Sequence, residues 1–162
     1  MKGVVFLAES LNLADVAKMA MENEERGRIF YSRMAKKSDD PEIEQMFNKL
    51  AEEEIEHKQL FSKLTVRYEA LPDKGALDKN GSEYIKTILG SHVFPSGADL
   101  EKVNSASDAL GIGIEAEKES ILLYQELMNR SQEEDTKKLL SDLLAEEKMH
   151  LIELRQYMNE FV

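Results

Sequence analysis

The sequence predicts an all-α protein, an antiparallel four-helix bundle whose second and third helices are joined by a long crossover. Three observations predict it. Apolar residues step four, three, four, three along four separate segments, the spacing that lines one face of a helix. Those segments fall into two hairpins, about residues 12–68 and 105–162. The stretch between them, about 70–104, is broken by Pro72, Gly75, Gly81, Gly90, Pro95 and Gly97. A crossover of that length is expected to run the length of the bundle and set the second and third helices parallel. One domain over residues 1–162 is expected.

Residues 1–10 read as a lead-in whose apolar run, Val4 to Ala8, is expected to dock on the body. Asn12, with Asp15 three residues on, is an N-cap signal that opens a helix to about Lys37. Its core seam is Leu13, Ala17, Ala20, Glu24, Gly27, Tyr31 and Met34. Asp40 is placed to cap the second helix, with Pro41 at its first position, where a missing N–H costs nothing. The second seam runs Ile43, Phe47, Leu50, Glu54, His57, Phe61 and Leu64. In the crossover only Glu83 to Leu89 reads as a short helix. Ser105 with Asp108 caps the third helix, whose seam is Ala106, Leu110, Gly113, Glu117, Ser120, Tyr124 and Leu127. Ser131 with Glu134 has the form of a capping box for the last helix, with the seam Leu140, Leu143, Glu147, His150, Leu154, Tyr157 and Phe161.

Composition narrows the chemistry. With 42% hydrophobic and 33% charged residues the chain is ordinary globular material, and no apolar run approaches the ~18–20 residues of a membrane span. No signal-peptide core is evident either, so a cytoplasmic address is expected. A net charge of −11 without a basic cluster argues against nucleic acid and for cations. The absence of cysteine excludes thiolate metal sites and thiol nucleophiles. Any metal must use carboxylate and imidazole.

The two halves superimpose without a gap at an offset of 93 residues, the separation of His57 and His150. Asp15 falls on Asp108, Glu24 on Glu117, Tyr31 on Tyr124, Glu53 on Glu146 and Glu54 on Glu147. Small residues match too. Gly27 corresponds to Ser120 and Ala20 to Gly113, which is expected to let the first and third helices approach closely.

The four seams bring Glu24, Glu54, His57, Glu117, Glu147 and His150 to one level. Four carboxylates cannot share an apolar interior uncompensated, since desolvating one costs several kcal/mol and like charges add repulsion. Two divalent cations offset four negative charges. One Glu from each of two helices and Glu-x-x-His from each of the others is the general donor set of di-iron and di-manganese bundles. Iron and manganese both suit it. Tyr31 and Tyr124 are expected to hydrogen-bond ligand carboxylates and so assist the chemistry. Glu52, Glu53 and Glu56 point off the seam and read as a solvated face. His92 reads as a plain loop residue, and the eight methionines as core filler.

The first-helix pattern Glu24-x6-Tyr31, the run LAEEEIEH ending at His57, the third-helix Glu117-x6-Tyr124 and AEEKMH ending at His150 resemble the ligand motifs of the rubrerythrin family, within the ferritin-like superfamily. The likeness covers about residues 12–160. It implies a ferritin-like bundle, a homodimer, that binds two iron ions and reacts with hydrogen peroxide or oxygen. It further implies that Glu54 and Glu147 bridge the metals, that Glu24 and Glu117 are terminal ligands, and that His57 and His150 hold one iron each. Two features depart from the family pattern. Rubrerythrins commonly append a four-cysteine rubredoxin domain, and this sequence has no cysteine, so an external donor such as a rubredoxin is expected. The family's extra glutamate, three residues after the third-helix ligand, is Ser120 here. The symmetric set that remains is also similar to bacterioferritin, although Ile55 stands at the haem methionine's place. The expected activity is reduction of hydrogen peroxide. An iron-storage or ferroxidase protein would use the same residues, and a metal-free structural bundle is the third class.

Overall fold

The computed structural model describes residues 10–90 and 93–161, and four long helices form its frame. They are α1 (Leu13–Lys37), α2 (Pro41–Glu69), α5 (Ala106–Arg130) and α6 (Glu134–Phe161). The crossover carries a 3-10 turn (Pro72–Lys74) and two shorter helices, α3 (Lys79–Leu89) and α4 (Ala98–Glu101). The expectations for Val4 to Ala8 and for His92 lie outside the described residues.

Local chemistry sets the helix starts. The Asn12 side chain accepts the Asp15 N–H, Asp40 accepts those of Glu42 and Ile43, and Ser105 accepts that of Asp108. Each satisfies a donor that the first turn leaves without a partner. The start of α6 differs from the capping box that Ser131 and Glu134 suggest. Lys137 N–H reaches the Glu133 carbonyl, so the helix begins after Glu133. The Ser131 hydroxyl turns back to donate to the Leu127 carbonyl at 2.7 Å and lies 2.7 Å from the Tyr68 hydroxyl. A buried hydroxyl takes the nearest good partners, and here they belong to α5 and α2.

The apolar core falls into two clusters. One gathers Leu13, Ala17 and Ala20 from α1, Phe61 and Leu64 from α2, Tyr124 and Leu127 from α5, and Leu140 and Leu143 from α6. The other gathers Tyr31 and Met34, Ile43 to Leu50, Ala109 and Leu110, and Leu154. Helices α1 and α6 therefore run from the first cluster to the second, and α2 and α5 run the opposite way. The hairpins are antiparallel and α2 lies parallel to α5, the arrangement a full-length crossover requires.

The crossover is pinned at both ends. Near the first cluster, Asp73, Lys74 and Gly75 all take positive φ, and the chain then pairs with the start of α1 through Leu13 N–H to the Gly75 carbonyl and Leu77 N–H to the Leu11 carbonyl, each 2.9 Å. Helix α3, longer than the segment 83–89 suggests, is capped by Asp78 and buries Ile85 and Ile88 in that cluster. Phe94, Leu100 and Val103 then enter the second cluster. Of the methionines, Met149 is an exception to the core role, being 60% exposed.

Candidate metal centre

Between the two apolar clusters the seams carry charge. Glu24 on α1, Glu54 and His57 on α2, Glu117 on α5, and Glu147 and His150 on α6 are each no more than 4% exposed. A spacing of three residues sets each Glu-His pair on one helix face one turn apart. The bundle then points all six side chains into one layer. They resolve into two sets of four: Glu24, Glu54, His57 and Glu147, and Glu54, Glu117, Glu147 and His150. In each set, one donor atom per residue lies within 4.8 Å of all the others. Glu54 and Glu147 belong to both.

The imidazoles turn Nδ1 inward. His57 Nδ1 lies 2.8 Å from Glu147 Oε1 and 3.6 Å from Glu24 Oε2. His150 Nδ1 lies 3.4 Å from Glu147 Oε2, 3.6 Å from Glu117 Oε1 and 4.0 Å from Glu54 Oε1. The two rings stack with centroids 5.5 Å apart. Both Nδ1 atoms, both oxygens of Glu24 and both of Glu147 are buried and have no hydrogen-bond partner among the described residues. Buried polar atoms are almost always paired, so a cluster of six that converge without partners fits a site built for cations. Hard oxygen and imidazole donors suit iron or manganese.

Without a cation the layer balances its charge with protons. Burial raises the Glu24 and Glu54 carboxyls well above the usual range, and burial together with the Glu147 charge raises Glu117 to about 8. Glu147 goes the other way. Burial opposes its charge, but the close approach of Glu117, His150 and His57 holds it below the usual carboxylate range. Burial likewise opposes charge on His57, and the neighbouring Glu147 nevertheless raises it to about 9.

Two residues expected on a solvated face, or left without a role, do more than that. His57 Nε2 meets Glu146 Oε2 at 2.7 Å, and His150 Nε2 meets Glu53 Oε2 at 2.7 Å. Glu53 therefore corrects the reading of Glu52, Glu53 and Glu56, the other two being exposed as expected. The signal was present in the sequence, because Glu53 and Glu146 coincide in the 93-residue repeat. Periodicity alone cannot see it, since both sit one position off the seam, on the sides where α2 and α6 meet.

The tyrosines part company. Tyr31 donates to Glu117 Oε1 at 2.7 Å, whereas the buried Tyr124 hydroxyl has no partner among the described residues. The small residues divide as well. A Cβ on Gly27 would meet the Phe94 ring at 3.2 Å and the Glu54 carboxylate at 3.3 Å, and one on Gly113 would meet Leu154 at 3.2 Å and Tyr31 at 3.3 Å. Gly27 thus makes room for Phe94 and a site carboxylate rather than for α5, whereas Gly113 admits a residue of α1, Tyr31, as expected.

The family model Rubrerythrin matches residues 15–158. Among solved structures, a protein of Thermotoga maritima described as ferritin-like and diiron-carboxylate is 24% identical, with a TM-score of 0.76 over 94% of this chain and 98% of that one. A hypothetical protein of Pyrococcus furiosus is 25% identical, with a TM-score of 0.70 over 92% of this chain and 89% of that one. No curated protein matches the sequence.

Proposed function

The chain belongs to the rubrerythrin family and has the ferritin-like bundle fold, and from that premise we propose that it is a di-iron oxidoreductase that reduces hydrogen peroxide with electrons from an external donor. The observation that carries this reading is the pair of four-residue sets sharing Glu54 and Glu147. In it, Glu54 and Glu147 would be held in common by two metals, Glu24 and Glu117 would each serve one of them, and His57 and His150 would each offer one metal their Nδ1. When bound, two ferrous ions supply one electron each, which with two protons convert hydrogen peroxide to two waters.

The protein's own groups prepare that chemistry. Tyr31, by donating to Glu117, fixes one terminal carboxylate, while no hydroxyl among the described residues does the same for Glu24. That difference leaves the His57 side of the layer freer to rearrange its ligands. The apolar clusters above and below keep bulk water from the layer, which strengthens every charge interaction within it. The reducing equivalents are assigned to a donor outside these 162 residues, which contain no cysteine, such as a rubredoxin.

Anaerobic mixing of diferrous protein with one equivalent of oxidant tests the reading. Peroxide is expected to oxidise the iron faster than oxygen, with turnover only when a donor is added. Faster oxidation by oxygen, with ferric mineral accumulating beyond two irons per chain, would replace peroxide reduction with iron storage.

A further inference from the structure

A neutral imidazole offers a metal one ring nitrogen, and the hydrogen bond at the other nitrogen decides which. Here the outward nitrogens are held in a crossed pattern. Glu146, on α6, accepts from His57 of α2, and Glu53, on α2, accepts from His150 of α6, each at 2.7 Å. An ionised carboxylate can only accept, so each link specifies Nε2–H and leaves the lone pair on inward Nδ1. Both imidazoles are buried, at 0% and 3% exposure, so neither can draw on bulk water for the same purpose.

We propose that Glu53 and Glu146 are positioning residues for metal capture, each fixing the tautomer and ring plane of the imidazole on the opposite hairpin. This rests on the two-metal reading above. Neither half of the repeat then presents a properly aimed histidine until the hairpins dock. Glu146 serves the set Glu24, Glu54, His57 and Glu147, and Glu53 serves the set Glu54, Glu117, Glu147 and His150. An ordinary ion pair between α2 and α6 has no such division of labour. One is available for comparison, Lys49 with Glu153 at 3.0 Å, which touches neither histidine.

The test titrates the metal-free full chain with cobalt(II) alone, following visible absorption and monitoring helicity by circular dichroism. Wild type is expected to bind two ions. Glu146→Ala and Glu53→Ala should each weaken one ion by about 10–100-fold and spare the other, with different residual spectra, and the double variant should weaken both. Glu146→Gln and Glu53→Gln keep an acceptor oxygen of the same shape and should recover most of the affinity. Glu153→Ala should bind as wild type. The proposal is overturned if the Ala variants bind both ions normally, if the Gln variants lose as much as Ala, if Glu153→Ala reproduces the loss, or if affinity falls only together with helicity. Two cobalt ions in wild type with unaltered variants remove this inference alone; fewer than two in wild type remove the two-metal reading as well.

Discussion

Glu24 has both carboxylate oxygens buried and without a hydrogen-bond partner among the described residues, a state that no residue kept for stability alone would hold. Glu24→Leu is therefore expected to raise the melting temperature of the metal-free protein, by about 1–4 kcal/mol of added stability, while weakening metal binding at the His57 set. Thermal unfolding with and without chelator measures both. Glu54→Ala should go further and cost most of the binding at both sets, because Glu54 belongs to each. The tyrosines offer a sharper contrast. Tyr31→Phe removes a buried bond to a carboxyl group and should cost about 1–3 kcal/mol, whereas Tyr124→Phe removes a hydroxyl with no partner among the described residues and should be near neutral. Equal losses in denaturant titrations of the two variants would contradict that asymmetry.

At the scale of elements, α1 and the crossover meet at Gly27, where a Cβ would press on Phe94 and on the Glu54 carboxylate. Gly27→Ala gains about 1 kcal/mol of helix propensity, and the two neighbours must each yield a few tenths of an ångström to admit it. The expected outcome is little change in metal-free stability together with weaker metal binding, since the yielding group is common to both donor sets. Unchanged cobalt affinity would show that the Glu54 carboxylate tolerates the methyl group. Helix starts show where local sequence stops deciding the structure. Asn12, Asp40 and Ser105 cap as their local sequences say, because a cap is a bond within a few residues of chain. Ser131 has an equally good local sequence, but Tyr68, 63 positions away in the chain, shares its hydroxyl.

For the whole molecule, the raised groups make stability depend on pH in a definite direction. Glu117 ionises near its ordinary value when unfolded and at about 8 when folded without metal, so the proton it keeps favours the fold below about 4.5, and that contribution is lost as pH rises to about 8. His57 behaves alike, losing its contribution between about 6.5 and about 9. Glu147, held low, opposes them only below about 4.5. Metal-free protein is thus expected to melt at progressively lower temperature between pH 5 and 9. A divalent metal held by this layer would compete with those protons and favour the folded chain, so its stabilisation should grow over the same range. Melting curves at several pH values, with chelator and with manganese(II), check both slopes. A metal-free curve that rises with pH would mean the layer is not held together by its protons.

The sequence by itself determined the four helices, their pairing into hairpins, and the level at which six charged side chains would meet. Those follow from a 3.6-residue period and a 93-residue repeat, and both are written along the chain. Only the tertiary structure decided which carboxylate faces which imidazole. Glu53 and Glu146 look like surface residues of their own helices, and become partners of His150 and His57 because α2 packs beside α6. Tertiary packing also breaks the symmetry that the repeat implies. Tyr31 and Tyr124 are equivalent in sequence, yet one finds Glu117 within hydrogen-bond reach and the other finds no acceptor among the described residues. Likewise Phe94 of the crossover fills the space beside Gly27. Hydrogen bonds and van der Waals contacts act over a few ångströms of space rather than along the chain, so these choices exist only once the hairpins have docked.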